Sequence, residues 1–263
     1  MSRLATMALT AIMLFGSAPQ LSAQDSMAGV DLNSPMMTTA EMGREDVVAL
    51  ITADAGVNLS GKRLSGLNLS GLDLSGAVLR GAYLNKANLK GAKLNGAVLD
   101  QAWALDADFA GASLRQASLI ASQMRGASFK NADLTGARIT ADFTNGDLAG
   151  ARFDGADLSA DMKNQSMGLM RAVLRSAKLD GANFTGANLS RTVLEFAVLK
   201  EATLDGANLY GAELGGANLT GASVAGANFE QADVTSAVLQ KLKGLDLAQN
   251  FGKVRNLKRA FRD

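Results

Sequence analysis

Apolar residues recur at every fifth position over most of the chain, from Val57 to Gln240. Each five-residue unit has a leucine or phenylalanine at its centre, a small residue two positions before it and, in many units, a glycine two positions after it. Because side chains alternate across an extended segment, the centre and the small residue share one face, and the polar residues lie on the other. The pattern predicts very short strands joined by tight corners, where glycine tolerates a positive φ.

A period of five fits neither an α-helix nor a long β-strand, and a fixed internal period indicates a solenoid. The run from Gly81 to Ala92, Gly-Ala-Tyr-Leu-Asn-Lys-Ala-Asn-Leu-Lys-Gly-Ala, resembles the units of pentapeptide-repeat proteins. The resemblance implies an all-β fold, a right-handed four-sided parallel β-helix of about nine coils over residues 57–240. Four units would make one coil, so residues 20 apart would stack, with Phe109 on Phe129.

The segments before the repeat have patterns of their own. Residues 1–23 combine a basic start, an apolar core and a small-residue cleavage site, which predicts a secretory signal peptide, either cleaved or kept as an anchor. The protein is therefore expected to be exported, to the periplasm or the extracellular space. Residues 24–38 are polar and predict a flexible leader. Residues 39–56 predict a short N-terminal cap helix that covers the open end of the first coil.

The five-residue period is interrupted twice before the repeat ends. The spacing between Ile139 and Phe143 is four, and the spacing between Leu158 and Leu174 is 16. Residues 160–170 match the motif poorly and predict a bulge or a small external loop.

Residues 241–263 lie beyond the repeat, with apolar residues at helical spacing and seven Lys or Arg against two Asp. They predict a basic C-terminal helical cap. Its basic face could simply be solvated, belong to a dimerisation helix of a homodimer, or contact anionic lipid or another acidic surface. The residues expected to make such contacts are Lys253, Arg255, Lys258, Arg259 and Arg262.

The composition argues against catalysis. The chain has no His and no Cys, so it lacks the usual general base, the thiol nucleophile and the ligands of most zinc or iron sites. The glycines are corner residues and form no phosphate loop. We expect no enzyme activity, no catalytic residues, no metal and no cofactor.

Nucleic acid is not an expected partner either. No basic stripe with interleaved aromatic residues lies outside the tail. The resemblance also implies an alternative function, because some pentapeptide-repeat proteins resemble duplex DNA and protect DNA gyrase. That mimicry needs a densely acidic surface, whereas acidic and basic residues are mixed here and the chain carries a net charge of +1.

Aromatic residues on outward positions are few. Tyr83 and Trp103 both precede a centre and are 20 residues apart, so they should be stacked neighbours on one outer wall. Exposed apolar patches mark interaction sites, although ordinary β propensity could also place such residues there. Trp103 or Leu105 could instead turn inward beside the small centre Ala104. The candidate partner-binding residues are Val78, Tyr83, Val98, Trp103, Leu105 and Ile120.

Three functions are therefore open. The first is an exported, non-enzymatic scaffold or protein-interaction module of the cell envelope with an unknown protein partner. The second is a DNA-mimicking, gyrase-binding protein, which would require the signal peptide to be misread. The third is a membrane-associated structural protein that uses its basic tail. A fold alone does not decide among them.

Overall fold

Four ladders of parallel β-bridges form the body of the protein in the computed structural model, which describes residues 29–53, 56–162 and 170–263. The ladders begin at Asn58, Arg63, Asn68 and Asp73, and in the regular coils each residue is bridged to the one 20 positions later, as in Asn58 to Val78. We call them the first to fourth sides. The predicted four-sided parallel β-helix is therefore the fold of residues 57–240. The predicted signal peptide, residues 1–23, lies outside the described residues.

Regular secondary structure is short everywhere, because each side is only a few residues long. The named elements are helix α1 at Pro35–Thr38, helix α2 at Arg44–Ala53, and strands β1 at Ser118–Leu119 and β2 at Arg138–Ile139. The two strands pair in parallel as one extended stretch of the first side. Three 3₁₀ turns follow at Leu245–Leu247, Phe251–Lys253 and Leu257–Arg259.

The interior is a column of centres and small residues, as the five-residue period predicts. Leu59, Ala77 and Leu79 are fully buried, and so are their equivalents in the coils that follow. The rings of Phe109 and Phe129 stack with centroids 4.5 Å apart and planes 9° apart, which confirms the predicted contact. Backbone hydrogen bonds hold adjacent coils together: the Leu59 N–H donates to Val78 O at 2.7 Å, and the Val78 N–H donates to Val57 O at 2.9 Å.

Helix α2 covers the N-terminal end of the β-helix. Val47 points into the core and is fully buried, and the Arg44 guanidinium donates to the carbonyl oxygens of Asn68 at 2.6 Å and Ser70 at 3.1 Å. The helix begins later than predicted: the Gly43 N–H donates to the Asp46 carboxylate at 2.8 Å, while Glu41 forms an ion pair with a coil residue.

The described part of the predicted flexible leader, residues 29–38, is mostly exposed but is anchored to the β-helix at one point. Helix α1 buries Met37, and the Asn85 side-chain amide donates to Met37 O at 3.0 Å. The polar composition of the segment did not predict this contact, because only one buried side chain, Met37, and its backbone carbonyl anchor the segment.

The first interruption of the period removes one residue from a corner. At a regular corner, the Gln101 N–H donates to the backbone oxygen of Ile120 at 2.7 Å. One coil later, the Ala121 N–H donates instead to the Thr140 hydroxyl at 3.0 Å. The buried hydroxyl of Thr140 thus replaces a backbone acceptor where the chain is one residue short.

The second interruption is an insertion between the first and second sides. Asp157 is bridged to Asn188 and Asp142 to Val173, so the ladders continue across it. The Asp161 N–H donates to Met170 O at 2.8 Å, so the chain leaves the coil and returns at nearly the same point. Residues 163–169, within the predicted loop 160–170, lie outside the described residues.

The predicted C-terminal helical cap is wrong. Lys243, Gln249, Arg255 and Phe261 are bridged in parallel to the coil before them, so residues 242–263 continue the β-helix with longer sides. Each side here has six residues and contains one 3₁₀ turn that follows a left-handed residue: Gly244, Asn250 or Asn256.

Candidate functional site

Tyr83 and Trp103 lie side by side on the outer face of the second side. They are bridged in parallel, the Leu84 N–H donates to Trp103 O at 2.6 Å, and the Trp103 N–H donates to Ala82 O at 2.9 Å. Both side chains are partly exposed, whereas Ala104 is fully buried at the inward position. Trp103 therefore lies on the outer face, and the small centre Ala104 fills the interior at this level.

The six candidate partner-binding residues do not form one continuous apolar surface. Val78 and Val98 are bridged to each other on the first side. An ion pair between Arg80 and Asp100, at 3.4 Å, occupies the corner between the valines and the Tyr83–Trp103 pair. Ile120 lies at the same corner, where its N–H donates to the Asp100 carboxylate. The structure thus separates Val78 and Val98 from the aromatic pair.

Leu105 lies at the other edge of the second side, where the leader segment passes. Its N–H donates to the Asn85 side-chain oxygen at 2.9 Å, and the same side-chain amide binds Met37 O. A groove of about 300 Å³ separates the leader from this corner. Its lining residues are Leu32, Asn33, Met37, Thr38, Gly66, Asn85, Lys86, Leu105 and Asp106. The leader therefore adds Leu32, which is exposed, to the apolar surface beside Leu105.

A second groove, which the sequence analysis missed, surrounds Phe196. This side chain is 63% exposed at a corner position with φ of +58°, a backbone conformation that bulky residues rarely adopt. Its ring lies over Gly216, where an added Cβ would be 2.6 Å from the Phe196 Cδ1. The signal in the sequence is a phenylalanine at a left-handed corner position, where other units carry glycine or, except at Ala121, a polar residue.

The Phe196 groove has a volume of about 480 Å³ and an acidic lining whose charges are largely paired. Its lining residues are Glu195, Phe196, Glu213, Gly215, Gly216, Asp233, Thr235, Ser236 and Arg255. Arg175 binds Glu195 at 2.7 Å, and Arg171 binds Glu213 at 2.7 Å.

Asp233 is held ionised at one edge of this groove. Burial acts to raise the pKa of Asp233, but hydrogen bonds from Thr235 and Asn256 and the nearby Arg255 outweigh it, so the pKa is lowered. At this edge the groove therefore presents a carboxylate rather than a neutral acid, beside a hydroxyl and a guanidinium partner.

The basic residues of the tail fall into two groups. Lys253 forms an ion pair with Glu230 at 3.3 Å, and Arg255 forms one with Asp233 at 3.8 Å. Both basic side chains therefore bind acidic residues of the preceding coil. Lys258, Arg259 and Arg262 are exposed and form no ion pair with any described residue.

The described residues contain no group of acidic side chains that could hold a metal ion. Among the same residues, no helix is long and apolar enough to cross a bilayer.

The family model for pentapeptide repeats matches the chain in eight copies, over residues 63–101, 106–140, 169–206, 197–235 and 212–242. These matches together cover more than half of the chain. No curated protein sequence matches it.

Several solved structures are similar to the chain. HetL, a pentapeptide repeat protein involved in heterocyst differentiation regulation from the cyanobacterium Nostoc sp. strain PCC 7120, is 28% identical, with 84% of this chain and 95% of that chain covered and a TM-score of 0.40. QnrB1, a plasmid-mediated fluoroquinolone resistance protein, is 21% identical over 68% of this chain and 85% of that chain, with a TM-score of 0.46. A pentapeptide repeat protein from the Arabidopsis thaliana thylakoid lumen is 35% identical over 39% of this chain and 65% of that chain, with a TM-score of 0.22.

Proposed function

The chain belongs to the pentapeptide-repeat family, whose repeats build a right-handed β-helix, and from that premise we propose that it is an exported, non-enzymatic scaffold of the cell envelope that binds another protein. The β-helix has buried, regular sides, so a binding surface on it is preorganised and loses little conformational entropy on association.

The observation that carries the proposal is the Tyr83–Trp103 pair. The chain has one Trp and two Tyr, and two of these three residues, Tyr83 and Trp103, form a parallel β-bridge on one outer face. Tryptophan and tyrosine are the residues that most often carry the binding energy of a protein interface. The proposed surface is the aromatic pair with Leu105 and Leu32, the side toward which the leader extends the apolar area.

The proposed surface predicts a large effect from one substitution. Trp103→Ala should weaken a captured protein partner by about 2 kcal/mol or more, about thirtyfold, because it removes an interface anchor. The melting temperature should stay within a degree or two of the parent, because Ala104 and not Trp103 fills the interior.

Tyr210→Ala is the matched control, since Tyr210 is a partly exposed aromatic residue far along the chain, with the Arg191 guanidinium over its ring at 5.5 Å. Equal loss of the partner in both variants would argue against a specific surface. A clear drop in melting temperature for Trp103→Ala, with binding retained, would make the residue structural.

Export rests on the pattern of residues 1–23 and is tested separately. N-terminal sequencing of the accumulated protein should begin near Gln24. Full-length protein in the cytosol would refute export and would reopen the gyrase-binding alternative.

No observation favours the DNA-mimicking alternative. Many acidic residues in the middle of the β-helix pair with basic ones, as Asp108 does with Lys90, Asp133 with Arg115 and Asp157 with Arg138. A surface neutralised in this way lacks the dense negative charge of duplex DNA. Protection of DNA gyrase from a fluoroquinolone in a supercoiling assay would establish the alternative.

A further inference from the structure

The two ends of the β-helix are finished differently. At the N-terminal end, helix α2 covers the first coil and buries Val47. At the C-terminal end, the apolar residues of the last coil are only partly buried, although they pack against the core. They are Leu242, Ala248, Phe251, Val254, Leu257 and Ala260. We call this surface the C-terminal end face.

Two leucines project from the same coil. Leu245 is 38% exposed and Leu247 is 64% exposed. Phe251, by contrast, packs edge-on against Phe229, with ring centroids 5.3 Å apart, and so closes the interior. The last coil thus combines partly buried apolar side chains, which pack on the core, with two exposed leucines.

The backbone of the end face is open as well. In the preceding coil, the carbonyl oxygens of Ala222 and Ala227 accept N–H groups from Lys243 and Gln249, at 2.9 and 2.8 Å. The equivalent carbonyl oxygens of the last coil belong to Leu242, Ala248, Val254 and Ala260. No backbone N–H of the described residues reaches them. An uncovered edge of this kind needs water, headgroups or another chain to satisfy it.

The charged side chains around this face that lack an ion pair with a described residue are mostly basic. Lys243 is drawn to Glu201 at 2.6 Å, and Lys253 and Arg255 bind acids on the preceding coil. Lys241, Lys258, Arg259 and Arg262 have no ion pair among the described residues. Against them stand Asp246 and Asp263, and the latter accepts the Lys241 N–H at 2.6 Å.

We propose that the C-terminal end face docks on an anionic phospholipid membrane. Leu245 and Leu247 enter the interfacial region, and the unpaired Lys and Arg side chains bind headgroup phosphates, which is how amphipathic surfaces associate with such membranes. The inference does not depend on the proposed protein partner.

Charge favours lipid over a second copy of this chain. Two end faces placed together would bring basic residues against basic residues. The opposite end of the β-helix carries Glu41, Glu45 and Asp46 against Arg44, Lys62 and Arg63, so its charges cancel and it offers no complementary surface. An anionic bilayer matches both the apolar tips and the sign of the charge.

The orientation has a functional consequence. Seven coils separate Trp103 from Arg255 on the second side, at about 4.8 Å per coil. The β-helix would therefore stand on the membrane and hold the Tyr83–Trp103 pair about 35 Å above it.

The test is flotation of the purified protein with vesicles. The form that cells accumulate is used for every variant, with vesicles of phosphatidylcholine alone or mixed with phosphatidylglycerol. The parent should float with the phosphatidylglycerol vesicles, less with phosphatidylcholine, and less as salt is raised. The triple variant Lys258→Gln, Arg259→Gln, Arg262→Gln should bind about a hundredfold more weakly, at about fivefold per charge removed near the surface.

Leu247→Ser tests the apolar tips and should weaken binding severalfold without a change in the circular dichroism spectrum. Phe196→Ser is its control, because Phe196 is 63% exposed, against 64% for Leu247, but lies on the side of the β-helix. Equal flotation of parent, triple variant and Leu247→Ser would overturn the proposal, and so would an equal loss in Phe196→Ser. A dimer in light scattering that Leu247→Ser dissociates, with no flotation of the parent, would identify a second copy as the occupant instead.

Discussion

The corner at Thr140 supports a quantitative prediction. There the Thr140 hydroxyl, instead of a backbone carbonyl, accepts the hydrogen bond from the Ala121 N–H. Thr140→Val keeps the shape of the side chain but removes the acceptor that the Ala121 N–H uses at 3.0 Å. The chain is one residue short at this corner, so no backbone oxygen takes its place.

The magnitude follows from the burial of the two groups. Thr140 is buried and the hydrogen bond is partly shielded from water, so an unsatisfied N–H should cost about 1–2 kcal/mol of unfolding free energy. In a domain of this size, that corresponds to a fall of about 2–8 °C in melting temperature. Thr140→Ser keeps the hydroxyl and should stay closer to the parent.

Two measurements check this reasoning. Thermal melts compare the Val and Ser variants, and amide hydrogen exchange reads the Ala121 N–H directly, because loss of its acceptor should speed local opening. If both variants melt alike and Ala121 exchange is unchanged, water or another group satisfies the N–H, and the hydroxyl does not hold the shortened corner.

Three further outcomes are expected. Ala127→Leu should destabilise the protein by about 1–3 kcal/mol in thermal melts, because the inward position is fully packed; an unchanged melting temperature would contradict the inward assignment. Hydrogen bonds from the Ser75 hydroxyl and N–H lower the pKa of Asp73, so Ser75→Ala should raise that pKa, as measured by NMR titration of the carboxyl group. Since a lowered pKa stabilises the folded state until the pH falls through it, the variant should lose this contribution at a higher pH, and an unmoved pKa would reject the role of the hydroxyl. Gly216→Ala should lower the melting temperature, because the added Cβ would lie 2.6 Å from the Phe196 ring. The decrease should be smaller in a Phe196→Ala background, where only the strain of the positive φ remains. An equal decrease in both backgrounds would show that the Phe196 ring moves away at no cost.

The repeat made the fold predictable because every unit carries the same information. The alternation of Leu or Phe with Ala assigns an inward face, and the period of five sets the corners, so that even the stacking of Phe109 on Phe129 follows from arithmetic on the sequence. The start of helix α2 was less predictable. Glu41 lies within the predicted helix, but in the folded protein its carboxylate forms an ion pair with Lys62 of the first coil, at 2.9 Å, a contact that depends on the position of the coil.

The candidate surface was predictable in position and not in extent. The 20-residue spacing places Tyr83 beside Trp103 on an outer face. The limits of the apolar area depend on side-chain contacts between coils and with the leader. The five-residue spacing does not predict these contacts. On one edge, the ion pair of Arg80 with Asp100 ends the apolar surface around Tyr83 and Trp103. On the other edge, the leader adds the exposed Leu32 to this surface.

The tail shows how a change of period can imitate a helix. Its sides have six residues, and two of them carry a pair of partly buried apolar residues three positions apart, so apolar residues recur every third position, as in Val254, Leu257 and Ala260. That spacing is also what one face of a helix requires, and periodicity alone does not separate the two. The distinguishing signal is the residue just before each 3₁₀ turn, which is Gly244, Asn250 or Asn256 in successive sides. Glycine and asparagine are the residues that best adopt a positive φ and are poor helix formers, so their recurrence every six residues indicates corners rather than a helix. Replacing the left-handed glycine and asparagines of the tail with alanine should therefore destabilise the last coil instead of promoting a helix, and a rise in helical circular dichroism would refute this interpretation.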